Sequence, residues 1–220
     1  NPVIGINASG LTYGSLVTSP GGAQQGAFAL STYSRQFSGS DLSGTFFFSA
    51  LYQNTTTNNT NQRALVFSQT SFGTERIRIS NNGSGQLSLL MSNVGGTAGS
   101  IQGTTVGLSL TSPVLIVGQY VVGTANDSLT VWFNPTDLSD VPGTAAQTLS
   151  VLETTAVGGG NFSGLASIGI ASTNTPNQWD EIRIAYGSGA QLADVLPVPE
   201  PTAPALLGLA ALWLAVRRRR

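Results

Sequence analysis

The chain has 220 residues, with 27 Gly, 10 Pro, no Cys and no His, and only 9% of it is charged, against roughly 25% in an ordinary soluble domain. Every positive charge is Arg, which excludes disulfides, thiol nucleophiles, His-based catalysis or metal ligation, and Schiff-base lysine chemistry. Four of the nine arginines end the chain, so residues 1–198 carry a net −4, an acidic body with no basic patch for nucleic acid.

The length suits one domain of about 150–200 residues plus an appendage. With 40% hydrophobic residues and little net charge, the composition is the reverse of a disordered chain's. In chain order, Phe46 to Phe48 and Val114 to Val117 are apolar throughout, as central strands buried on both faces require. Period-two alternation marks the other strands. It puts Ile77 and Ile79 inward between Arg76 and Arg78, then Leu87, Leu89 and Met91, then Leu129, Val131 and Phe133, and last Ile182 and Ile184. Turn signals separate them at Pro20-Gly21-Gly22, Asn81-Asn82-Gly83, Gly95-Gly96, Asn126-Asp127, Pro142-Gly143 and Gly158-Gly159-Gly160. The polar run from Gln53 to Gln62 reads as a long hairpin loop at a sheet edge. No stretch before residue 196 has a helical period. The pattern predicts an all-β body over residues 1–195, a two-sheet antiparallel sandwich of jelly-roll type.

Candidate sites in this body are few. Asn126, Asp127 and Asp137 flank the Trp132 strand and could offer oxygen ligands to calcium, although a hairpin turn explains the same residues. Trp132 points away from Leu129, Val131 and Phe133. It is therefore either a platform on which a sugar ring stacks or a side chain covered by a loop. Trp179, Tyr186 and Tyr120 share that ambiguity. A glycoside hydrolase needs two carboxylates about 5–9 Å apart. The available suppliers, Glu75, Glu153, Asp180 and Glu181, form no such motif, and Glu181 with Arg183 reads as a charge pair. There is no Gly-x-Ser-x-Gly elbow, and without His there is no triad. The expectation is a non-enzymatic body with no obligatory cofactor.

Gly10-Leu11-Thr12-Tyr13, the run GQYVVGTANDSLTVWFNPTD at 118–137 and WDEIRIAYG at 179–187 are similar to the concanavalin-like, laminin-G-like sandwiches. The resemblance implies a β-sandwich, and its lectin-type members imply glycan binding, often with calcium. No ligand motif of those members maps residue by residue onto this chain.

Residues 196–220, LPVPEPTAPALLGLAALWLAVRRRR, have a different character. A Pro-rich hinge precedes an apolar run, residues 203–216, and the block Arg217, Arg218, Arg219 and Arg220. Fourteen helical residues span about 21 Å, short of a hydrocarbon core of about 30 Å. Arginines directly after such a run stay on the cytoplasmic side and leave the body outside. Val198-Pro199-Glu200-Pro201, the apolar run and the terminal arginines together resemble the PEP-CTERM sorting signal of Gram-negative bacteria. That resemblance implies export and transient residence in the inner membrane through residues 203–216. It also implies processing near Pro-Glu-Pro by an exosortase, in bacteria that make exopolysaccharide and biofilm. The first residue, Asn1, fits an export signal already removed or a sequence fragment.

The sequence thus leads to an exported, non-catalytic cell-surface or extracellular-matrix protein. A carbohydrate-binding module for exopolysaccharide is the alternative. A polysaccharide hydrolase or lyase comes in third place.

Overall fold

The computed structural model describes residues 5–7, 11–13, 23–25, 31–36, 44–54, 61–68, 75–82, 86–91, 101–105, 108–122, 127–137, 145–152, 165, 167–172, 177–187 and 189–196. In chain order the strands are β1 (Gly5–Asn7), β2 (Ala23–Gln25), β3 (Ser31–Gln36), β4 (Phe46–Asn54), β5 (Asn61–Ser68), β6 (Glu75–Asn82) and β7 (Leu87–Met91). Then come β8 (Ile101–Thr104), β9 (Val114–Val121), β10 (Ser128–Pro135), β11 (Ala145–Leu152), β12 (Ser167–Ser172) and β13 (Asn177–Tyr186). They form two sheets in which every pairing is antiparallel. Seven strands run in the order β1-β2-β13-β4-β9-β10-β11, and six in the order β3-β12-β5-β6-β7-β8. The fold is a β-sandwich.

The expected alternation is what packs it. Phe46, Phe48, Ala50 and Tyr52 on β4, with Val114, Ile116 and Tyr120 on β9 and Leu129, Val131 and Phe133 on β10, face the second sheet. That sheet answers with Leu65, Phe67, Ile77, Ile79, Leu87 and Leu89. Phe48 meets Phe67 of the opposite sheet at 5.0 Å between centroids, and Phe46 stacks at 4.9 Å on Tyr120, its cross-strand partner in the same sheet. Tyr52 lies against Trp179 at 4.6 Å. Burial raises the Tyr52 phenol above its usual range, and its hydrogen bond to Asn81 offsets part of that effect.

The alternate residues of these strands face the other way. Phe47, Leu51, Leu115, Val117 and Trp132 leave the outer face of the seven-stranded sheet and form a second cluster with Leu11, Leu192, Val195 and Leu196. Both apolar runs, Phe46 to Phe48 and Val114 to Val117, are therefore buried on both faces, as expected from their composition.

Two expectations change. Asn54 ends a strand of one sheet and Asn61 begins a strand of the other, so the polar run crosses between sheets rather than closing a hairpin. Residues 55–60 themselves lie outside the described residues. Ile182 does not join Ile184 in the core but is 39% exposed. The register of β13 on β4 slips between Asp180, opposite Leu51, and Arg183, opposite Ser49. One extra residue on β13 makes a bulge, which reverses the alternation assumed for a regular strand.

Gly118 is opposite Phe48, and a Cβ there would lie 2.1 Å from the ring's Cζ. Ring and backbone cannot both stay in place. Gly118→Ala should cost about 3 kcal/mol and lower the melting temperature by about 10 °C. Gly118→Ala combined with Phe48→Leu should melt higher than the sum of the separate effects, measured by calorimetry. Because the folded Tyr52 stays neutral above the usual phenol range, stability should be intact below about pH 10 and fall as pH rises further. Tyr52→Phe should flatten that alkaline limb in denaturant titrations.

Candidate functional site

The outer face of the seven-stranded sheet concentrates the polar interactions of greatest sequence separation. At its centre is the bulge in β13. Asp180 is 3% exposed, and its carboxylate accepts the amide of Glu181 at 2.8 Å and the amide of Leu11 at 2.7 Å. The first bond pins the bulge, and the second draws the early chain onto the sheet. Glu181 adopts φ +49, the left-handed region that non-glycine residues rarely occupy.

That backbone kink turns the Glu181 side chain toward Arg183. Oε2 of Glu181 accepts Nη2 of Arg183 at 2.6 Å and Nε at 3.1 Å, with the Glu181 side chain only 6% exposed. The charge pair expected from sequence is present. Arg183 also donates through Nη1 to the carbonyl of Leu196 at 3.3 Å. On neighbouring β4, the Ser49 hydroxyl donates to the carbonyl of Val195.

The segment so held begins where β13 ends. Gly187 has φ +103, which lets the chain leave the strand and double back. The amide of Ala190 donates to the Gly187 carbonyl at 3.1 Å, and a short 3-10 turn comes next at Leu192–Asp194. Asp194 caps that turn by accepting the amide of Gln191 at 2.8 Å. Leu192, Val195 and Leu196 then face the sheet, at 6%, 0% and 4% exposure. Residues 190–196 thus form a strap over the outer face. Leu196 is the last described residue of the apolar cluster on this face.

Trp132 lies beneath this cover, 6% exposed. The covered alternative is the one realised, and Trp132 presents no open platform. Asp127 is fully buried at the start of β10 and accepts the Tyr120 hydroxyl at 2.6 Å. Asp137, exposed, lies past the far end of β10. Ten residues of extended chain, about 30 Å, separate the two, so they cannot share a calcium ion. Asn126 lies outside the described residues. Among those described, no group of three or more acidic side chains could hold a metal ion. Asn54, which with Thr55 and Thr56 matches the Asn-x-Thr glycan-acceptor pattern, is 2% exposed.

Val198, Pro199, Glu200 and Pro201, the apolar run at 203–216 and Arg217 to Arg220 lie outside the described residues. No helix among the described residues is long and apolar enough to cross a membrane. An open groove of about 360 Å³ lies where β13 passes into the strap, lined by Ile184, Tyr186, Ala190 and Asp194 among others. Tyr186, 48% exposed, and Ile182 are the exposed large apolar side chains of the described residues.

Sequence reasoning missed the strap and Ser49. Both had signals: Ser49 is a lone polar residue in the apolar run FFFSALY, and Leu192, Val195 and Leu196 recur at spacings of three and four.

No family model and no curated protein matches the chain. Solved structures similar to it include the botulinum neurotoxin serotype D ligand binding domain in complex with N-acetylneuraminic acid, with TM-score 0.51 and 8% identity over 89% of this chain and 45% of that one. The receptor binding domain of the botulinum neurotoxin C/D mosaic serotype gives TM-score 0.50 and 6% identity, over 84% of this chain and 43% of that one. This chain spans less than half the length of either. At such identities the likeness is one of fold, the β-sandwich.

Asp180→Ala should cost about 3 kcal/mol, since two backbone amides lose their acceptor at once. Hydrogen exchange should then quicken at Leu11 and Glu181 and stay slow at Phe67, in the opposite sheet.

Proposed function

We propose that this chain is an exported, non-catalytic protein of the cell surface or extracellular matrix, sorted and processed through residues 196–220. The observation that carries the reading is the C-terminal order of Pro199-Glu200-Pro201, a 14-residue apolar run and four arginines, placed directly after a β-sandwich. An apolar run too short for a comfortable span, with a charge block after it, suits a signal that pauses in the membrane before an exosortase cuts it. The body supports the reading by its independence. Among the described residues, both faces of its seven-stranded sheet are covered by side chains up to Leu196. We infer for this body the jelly-roll connectivity of concanavalin-like sandwiches. Support comes from the order in which sequentially distant strands, β13 between β2 and β4 and β12 between β3 and β5, become neighbours.

Carbohydrate binding is the second reading. The groove beside β13 supports it, since its lining includes the half-exposed Tyr186 ring and the Asp194 carboxylate, groups suited to sugar stacking and hydroxyl bonding. A similar toxin ligand binding domain, of which this chain covers 45%, was solved in complex with N-acetylneuraminic acid. The hydrolase or lyase reading has less support: Asp180 and Glu181 are committed to backbone amides and to Arg183.

The intact mass of the protein from hosts with and without the exosortase tests the first reading. Loss of a fragment starting near Pro199, only where the enzyme is present, is the expected result. A mature chain retaining Arg217 to Arg220 in both hosts would overturn it. For the second reading, binding to exopolysaccharide fragments should fall at least tenfold in Tyr186→Ala and stay unchanged in Trp132→Phe.

A further inference from the structure

We propose that Arg183 and Ser49 form a gate on the sorting reaction. By gripping the carbonyls of Leu196 and Val195 they keep the strap folded on the body, and the processing enzyme acts on the minority of molecules whose strap is released. The inference rests on the sorting reading above and adds positioning residues within the body itself.

Three observations lead to it. First, the last two strap residues are each held by a side chain from a different central strand, Ser49 of β4 on Val195 and Arg183 of β13 on Leu196. Second, Arg183 is itself fixed by the nearly buried Glu181, at 2.6 Å, on a bulge that Asp180 holds in a strained conformation. A long, flexible side chain would not otherwise stay in one position, and backbone strain persists only where its surroundings determine it. Third, the grip lies close to the proposed recognition motif. Pro199 is three residues past Leu196, so their Cα atoms are within about 11 Å whatever the intervening conformation.

The consequence for an enzyme is steric. A proteolytic site takes its substrate as extended chain on both sides of the bond cut. Seven residues on the body side, 190–196, are withheld while the strap is packed. Cleavage of a segment that must open first tracks the open population when opening is fast. Loosening either grip should therefore accelerate processing, and lengthening the chain after Leu196 should make the grip irrelevant.

The test uses the full chain in an exosortase-containing host, with processing monitored by pulse-chase and the product identified by intact mass. Arg183→Ala should raise the processing rate about tenfold, the shift in open population expected from losing one charge-assisted hydrogen bond. Ser49→Ala, which strands no charge, should raise it by a smaller factor and serves where Arg183→Ala fails to fold. Arg183→Lys, keeping a charged donor, should return the rate toward that of the parent. A ten-residue Gly/Ser insertion between Leu196 and Pro197 should accelerate the parent and abolish the difference between parent and Ser49→Ala. That loss of difference is something mere destabilisation of the body would not produce. Unchanged or slower processing in both Ser49→Ala and Arg183→Ala overturns the gate while leaving the sorting reading intact. Absence of any processing in the parent overturns both.

Discussion

A strand that is apolar on both faces must be covered twice, and the rest of this molecule depends on that constraint. β4 and β9 put Phe46, Phe48, Val114 and Ile116 on one side and Phe47, Leu51, Leu115 and Val117 on the other. The second sheet covers the first set. The sheet pairing leaves the other set to be covered from elsewhere, and the chain supplies Leu11 and the strap of residues 190–196. At roughly 1.5–3 kcal/mol for each large apolar side chain withdrawn from water, this outer cluster contributes as much as a small core. The bulge, the Asp180 bond to Leu11 and the Arg183 grip on Leu196 are the polar fittings that hold its cover.

The bulge also shows how a local irregularity can organise distant pieces of chain. One extra residue between Asp180 and Arg183 turns Ile182 outward and brings Glu181 and Arg183 together on a face where simple alternation gives no warning of a kink. The Asp180 carboxylate and the Arg183 guanidinium then reach segments 169 and 13 residues away in sequence. Strain at Glu181 is tolerated because three hydrogen bonds, shared with Asp180 and Arg183, fix its surroundings.

Much of the sandwich was legible in the sequence because burial writes itself at period two. Ile77 and Ile79, Leu87 and Leu89, and Leu129, Val131 and Phe133 all occupy the face their spacing assigns. What escaped depended on partners far along the chain. The environment of Trp132 is set by Leu192, Val195 and Leu196, about 60 positions later, so its own strand cannot distinguish platform from core. Asp127 reads as a turn residue or a ligand, and only the Tyr120 hydroxyl against it decides which. The Glu181–Arg183 pair was readable from adjacency, whereas its grip on Leu196 needed the fold. The C-terminal pattern is a converse case, carried by the order of residues 198–220 in the sequence.

The strap has a mechanical side as well. Any pull on the chain beyond Leu196 enters the body through Arg183 and Ser49, on β13 and β4. These are adjacent interior strands of the seven-stranded sheet, flanked by β2 and β9. A load arriving there is shared across the antiparallel ladder on both sides, whereas a load on an edge strand would unzip its bonds one at a time. The body is thus fastened at its toughest place, with the strap as the element that yields first.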